Sequence, residues 1–273
     1  MANPRTMPVR KRHIPYPGAR LDAPPSTRDE QGRAYLSRAG AGEFLSHTTA
    51  LELLALPVPA RVLRDSRIHV SVVEPDFPPQ VRGVIGHRLQ AAPSLVDLDE
   101  MLVVRGPDAW LQAAPYLTER ELVEIGDALV RRRRPLTTAS KLERSVRAAS
   151  GRRGARTLRA ALARIRPGTD SVAETRLRLL ICDSGLPEPV IGLTVTHNGS
   201  FVGQPDLAYP EQRIAIEYEG DVHRLDLRTF RDDIERRERF EDAGWRVIRV
   251  TADHLAAPAL LVHRIRMALN ERG

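Results

Sequence analysis

The sequence predicts an α/β protein with a C-terminal mixed sheet flanked by helices, a smaller mixed α/β domain before it, and basic helices between the two. Three observations carry this expectation. A chain of 273 residues, 42% of them hydrophobic, can fill two cores of ordinary domain size. The last hundred residues alternate strand-like and helix-like stretches and end in a helical crossover, a connection that makes the strands it joins parallel. Pro167-Gly168 punctuates the chain just before them.

Four segments follow from this. Residues 1–32 read as a mobile basic arm, broken by Pro4, Pro8, Pro15, Pro17, Pro24 and Pro25 and carrying Arg10-Lys11-Arg12. Residues 33–130 read as a mixed α/β domain. Its expected helices are 34–39, 46–56 with Ser46 as N-cap, and 117–129, the last with Leu122, Ile125, Ala128 and Leu129 on one face. Its expected strands are 68–73 and 81–87, joined by a proline-containing turn. His47, His69 and His87 are too scattered in sequence to count as zinc ligands, so they read as satisfied core or surface histidines. Residues 131–168 read as a basic helical connector with helices over 140–149 and 155–165, separated by Gly151 and Gly154. Residues 169–273 should run helix 172–183, strand 190–196, turn Asn198-Gly199, strands 201–208 and 213–218, helix 229–243, strand 246–251 and helix 259–270.

The formal charge of +7 is unevenly spread. From residue 170 onward 14 arginines face 18 acids, so the first 169 residues carry a surplus of 11 positive charges. Within residues 131–166 stand 13 basic residues and one acid, Glu143. A cationic segment beside an acidic one suits a protein that grips a phosphate backbone with one part and acts on it with another. Cys182, the single cysteine, excludes an intrachain disulfide or a cysteine-rich zinc site and points to a reducing, cytoplasmic location. No apolar stretch is long enough to span a bilayer, which argues against a membrane partner. Nothing in the sequence sets an oligomeric state.

The chemistry concentrates in Asp206-Leu207-Ala208-Tyr209 and in the run from Ile214 to His223. Period-2 geometry puts Glu217 and Glu219 on one face of a strand, where two aligned carboxylates repel unless a cation lies between them. Asp206, at the end of an adjacent extended segment, would complete a set of hard oxygen ligands suited to Mg2+ or Mn2+, with Asp206 and Glu217 as the metal ligands. Glu217 lies between apolar Ile216 and Tyr218, where burial without a cation is costly, which favours ligation over the competing reading of an ion pair to an arginine. His223, an imidazole, suits a general acid or base, or could bind an outgoing phosphate as imidazolium; the plain reading is a loop histidine. Glu174 stands at the third helical position after Ser171, which fits a capping box. Candidate phosphate contacts are Arg152, Arg153, Arg156 and Arg159 on the basic helices and Arg231 and Arg237 on the 229–243 helix, although such runs also serve as solvated faces.

The order of elements, with Glu174 in the first helix, Asp206 on the second strand and Glu217-x-Glu219 on the third, resembles the PD-(D/E)XK restriction-endonuclease-like fold. More narrowly, Glu217-Tyr218-Glu219-Gly220-x-x-His223, Arg231-Asp232, Gly244-Trp245 and Val247-Ile248-Arg249-Val250 look like an uncharacterised nuclease-like family related to the very-short-patch repair endonucleases. This resemblance covers about residues 170 to 270. It implies that Glu174 can join the metal site. Residues 44–129 are faintly similar to the middle part of proteins that pair such a domain with an antitoxin-like helix-turn-helix segment. The wider fold's motif ends in lysine; here Glu219 holds that position, and an acid supplies no positive charge to the attacked phosphate.

The leading expectation is a metal-dependent endonuclease that hydrolyses phosphodiester bonds in DNA with Mg2+ or Mn2+. The alternative is a nucleic-acid-binding regulatory or antitoxin-like protein with a catalytically degenerate nuclease fold. A third reading is an interaction module whose basic helices meet an acidic protein.

Overall fold

A computed structural model of the chain describes residues 13–220 and 227–272. They form two compact units, one comprising residues 13–129 and 140–164, the other 130–139 and 165 onward.

In the first unit five strands form a mixed sheet in the order β3-β2-β1-β5-β4: β1 Phe44–Leu45, β2 Ile68–Val73, β3 Val84–Leu89, β4 Leu95–Leu98 and β5 Met101–Val104. Helix α1 (Arg28–Leu36), α2 (His47–Leu53), the short α3 (Ala60–Leu63), α4 (Gly106–Ala113) and α5 (Glu119–Leu129) complete it, joined by α6 (Ala139–Ala148) and α7 (Ala155–Arg164). Trp110 anchors the core; it is fully buried and donates from Nε1 to the Leu122 carbonyl at 2.9 Å. β2 matches its expected span, but β3 runs parallel to it rather than as a hairpin partner. The link between them, residues 74–83, folds back onto the sheet, and Gly86 makes room for it: a Cβ there would lie 2.3 Å from the Pro79 carbonyl oxygen.

Two expectations change here. The expected arm of residues 1–32 does not extend through its described part, because Tyr16 and Ala19 are buried and α1 already begins at Arg28. Thr27 and Glu30 form a reciprocal capping box, which fixes that start. The expected connector of 131–168 is divided between the units: α7 packs on α5, burying Leu158 and Ala161, whereas residues 130–139 group with the second unit.

The second unit comprises α8 (Val172–Asp183), β6 (Val190–Ile191), β7 (Val195–His197), β8 (Ser200–Gly203), β9 (Leu207–Tyr209), β10 (Ile214–Tyr218), α9 (Leu227–Asp242), β11 (Arg246–Val250), α10 (Ala252–Ala256) and α11 (Ala259–Arg272). Its main sheet has the order β11-β10-β9-β6, antiparallel except for the β10–β11 pair that α9 connects. One face carries Leu207, Ile214, Ile216, Ile248 and Val250 against Leu177 of α8 and Ile265 of α11. On the other, Ala215 packs with Phe240 of α9 and with Ala243 just after it.

The expected strands 190–196 and 201–208 are each broken in two. Gly192 adopts a φ of +56° that a strand does not use, and Pro205 cannot donate to a ladder. β6 and β9 therefore stay in the main sheet, while β7 and β8 peel off as a separate ribbon closed by Asn198-Gly199. Both turn residues have positive φ, as a two-residue hairpin loop requires.

Gly86→Ala is expected to destabilise the first unit by roughly 1–3 kcal/mol through overpacking against Pro79. Urea denaturation followed through Trp110 fluorescence checks it; an unchanged midpoint would mean the 74–83 link does not press on the sheet.

Candidate functional site

Strand pairing places the acids. Ala215 pairs with Ala208 and Ile216 with Leu207 in antiparallel β10 and β9, and continuing that register sets Glu217 opposite Asp206. Directly opposed residues share a face, here the face of Ala215 and α9. The Tyr218 amide N–H donates to Asp206 Oδ2 at 2.7 Å, which fixes that carboxylate against the end of β10. Arg236 of α9 reaches the same face, with its Nη2 2.7 Å from Glu217 Oε1 and 2.9 Å from the Gln204 carbonyl. Glu219 is ion-paired with Arg249 of β11, and its amide donates to the Val250 carbonyl at 2.7 Å.

Glu174 is buried in the first turn of α8. Ser171 Oγ accepts from its amide at 3.1 Å, yet its own carboxylate accepts from the Asp170 amide at 2.9 Å rather than from that of Ser171. Only half of the expected capping box forms, and the carboxylate sits within electrostatic reach of Asp206. Burial pushes the Glu174 carboxyl above the ordinary carboxylate range, with Asp206 adding to the rise and the Asp170 N–H opposing it. Burial likewise raises Asp206, opposed by the Tyr218 N–H, and the neighbouring Glu217 charge raises it further against Arg236 and Arg132. Asp206, Glu217 and Glu174 thus form one negative focus with arginines at its edge.

The other predicted residues fall elsewhere. His223 and the Arg231 side chain lie outside the described residues. Arg237 is exposed and ion-paired with Glu241 at 2.7 Å, so its nearest partner is a carboxylate on its own helix. Arg152, Arg153, Arg156 and Arg159 are all exposed on the first unit. Arg152 and Arg153 border a cleft of about 730 Å3 that Arg88, Gln90, Asp108 and Gln112 also line.

The reading of His47, His69 and His87 as scattered is overturned. Their candidate ligand atoms lie within 4.8 Å of one another, the one such grouping of three or more among the described residues. His69 and His87 share a sheet face two residues out of register across β2 and β3, since His69 pairs with Ile85 and Ser71 with His87. Their ring nitrogens, Nδ1 of His69 and Nε2 of His87, are 2.9 Å apart. His47, at the β1–α2 junction with a φ of +52°, stacks on His87 with ring centroids 3.6 Å apart. Burial holds all three imidazoles below the ordinary histidine range, His69 at about 3 and His87 at about 4. Alternation in β2 put His69 and Ser71 on one face, a signal already present in the sequence; the two-residue β1 and the parallel register that complete the cluster were not.

Comparison with known proteins adds little chemistry. No protein-family model matches the chain. It is 28% identical over 166 residues to two curated Mycobacterium tuberculosis proteins, from strains CDC 1551 and H37Rv, each named only as uncharacterised; the match spans 59% of this chain and 60% of theirs. No solved structure matches. Among the described residues, no helix is long and apolar enough to cross a membrane.

A carboxyl whose pKa is raised by folding binds its proton more tightly in the folded state, so stability falls as pH climbs from the ordinary carboxylate range through the raised value. In metal-free buffer, Asp206→Asn should therefore melt above the wild type near neutral pH, and the gap should close toward the unfolded carboxylate pKa of about 3.9. Thermal melts across pH in the presence of a chelator test this. An asparagine variant that melts lower at every pH contradicts it.

Proposed function

We propose that residues 169–273 form a restriction-endonuclease-like domain that hydrolyses phosphodiester bonds in DNA with the help of Mg2+ or Mn2+. The observation that carries the reading is the opposition of Asp206 and Glu217 across β9 and β10 with buried Glu174 close by. Three carboxylates in mutual repulsion are a donor set for a hard divalent cation. Asp206 and Glu217 would hold it, assisted by Glu174 or Glu219. A cation held there would lower the pKa of its bound water and offset charge on the leaving oxygen.

The chain's own residues would supply the rest. The Tyr218 N–H orients Asp206 so that its second oxygen remains available. Arg236 brings positive charge to the face where the wider fold uses lysine, and it would exchange Glu217 for a phosphate oxygen when substrate arrives. His223 is assigned the proton transfer. The exposed arginines of the basic helices, with Arg152 and Arg153 at the cleft, would bind the phosphate backbone.

One observation favours the rival reading. Glu217 and Glu219 are each ion-paired with an arginine, which is how a fold that has lost its chemistry would satisfy its inherited acids. The domain would then bind nucleic acid without cutting it.

The deciding assay is cleavage of a panel of single- and double-stranded DNA and RNA with Mg2+ or Mn2+. We expect nicking of DNA that chelation abolishes and that Asp206→Asn and Glu217→Gln reduce by more than ~100-fold, the upper range for disturbing even a supporting group of a metal site. DNA binding without cleavage under every metal would establish the rival. In either case, replacing Arg156 and Arg159 together should lessen the slope of log affinity against log salt by about two.

A further inference from the structure

We infer that the first unit contains a second metal site, in which His47, His69 and His87 bind one divalent transition ion of the zinc class. This site is separate from the proposed carboxylate centre and does not depend on it.

The three imidazoles come from three different elements, the β1–α2 junction, β2 and β3, and bring their candidate ligand atoms within 4.8 Å of one another. A tetrahedral ion with Zn–N bonds of ~2.0–2.1 Å holds its nitrogens ~3.4 Å apart. The observed set, with His69 and His87 nitrogens 2.9 Å apart and all three within 4.8 Å, brackets that spacing; the rings lie nearly parallel, 5° to 21° apart, so ligation requires the stacked His47 ring to turn its lone pair toward the other two. Imidazole nitrogens suit Zn2+, Co2+ or Ni2+, whereas Mg2+ takes oxygen, so the ligand set itself separates this site from the acids.

The surroundings fit ligation better than simple packing. His47 and His69 are 6% and 5% exposed, so the cluster has left water, where apolar residues would have been easier to bury. His47 holds a left-handed backbone conformation, which an ordinary core position does not need. Its Nδ1 lies 2.9 Å from Ser46 Oγ, which in turn accepts from Ser71 Oγ at 2.6 Å. This hydroxyl pair holds the ring, and in the tautomer with Nδ1–H donating to Ser46 Oγ it would leave Nε2 for an ion, the arrangement by which supporting groups fix a metal-binding imidazole. The His69 amide donates to Thr49 Oγ1 at 2.9 Å, and the His47 amide to Gln112 Oε1 at 3.3 Å, so the backbone on both sides is held. Between His69 and His87 a single proton bridges the two nitrogens; binding an ion replaces that hydrogen bond through a change of tautomer, with no change in the charge of either ring. Three histidines leave a fourth position, which water or an exogenous ligand fills. His87 is only half-buried, which leaves it partly open to solvent.

The test is titration of the chelator-treated full chain with Zn2+ and with Co2+. We expect one equivalent of Zn2+ per chain, tetrahedral Co2+ bands in the visible spectrum, and a melting temperature raised by roughly 5 °C at a hundredfold excess over Kd. Binding should be lost in His69→Gln and His87→Gln and retained in Asp206→Asn. X-ray absorption on the Zn2+-loaded wild type should count three imidazoles, which decides the matter even if the glutamine variants fail to fold. No binding by the wild type, fewer than three imidazoles, or binding retained by folded His69→Gln and His87→Gln each overturns the site.

Discussion

The second unit depends on the antiparallel register between β9 and β10. That register sets Asp206 opposite Glu217 and lets the Tyr218 amide hold the aspartate. A slip of one residue would turn one of the two strands over and send its acid to the face where Leu207, Ile214 and Ile216 meet α8 and α11, exchanging apolar burial for buried charge. The hydrophobic face and the acidic focus are therefore two consequences of one pairing. Gly192 and Pro205 protect it by breaking the flanking strands, so that β7 and β8 leave the sheet and β9 stays short.

From this follows an electrostatic conflict that the unit resolves with arginine. Burial makes ionised Asp206 and Glu174 costly, and their mutual repulsion adds to the cost. Arg236 and Arg249 meet Glu217 and Glu219 from α9 and β11. Under the proposed nuclease reading, such arginine partners would stabilise the fold and, by exchanging a carboxylate for a phosphate oxygen, free the acids for a cation. The first unit meets a similar problem with uncharged imidazoles, hydroxyls and a strained backbone, which is why hard-ion chemistry is assigned to one unit and nitrogen-ligand chemistry to the other.

Much of the second unit was legible in the sequence because its signals are local. Ser171 before an apolar-periodic run marks α8 at its observed start, Asn198-Gly199 marks the hairpin, and the apolar alternation through Ile214 and Ile216 marks β10. Asp206 and Glu217 could be linked because Asp206 directly precedes the apolar run Leu207–Tyr209 and Glu217 lies on the patterned strand Ile214–Tyr218. The breaks at Gly192 and Pro205 were legible residue by residue, but their effect on sheet membership is set by which partner each half finds. In the first unit β1 spans only Phe44–Leu45, too short for periodicity to reveal, and β2 and β3 run parallel across a proline-rich link that suggested a hairpin. His47, His69 and His87 meet only once those pairings exist. Buried Tyr16, in a segment rich in proline, finds its partner in Tyr35 with ring centroids 5.3 Å apart, a contact that composition does not reveal.

The central claim is that the opposition of Asp206 and Glu217 is a cation-binding geometry rather than a pair of inherited acids satisfied by arginine. Crystals of the full chain soaked in Mn2+ and examined by anomalous scattering test it most directly. The account predicts a manganese peak between the Asp206 and Glu217 carboxylates, with Arg236 displaced from Glu217. Absence of a peak there, with the Arg236–Glu217 ion pair intact at saturating Mn2+, would contradict it.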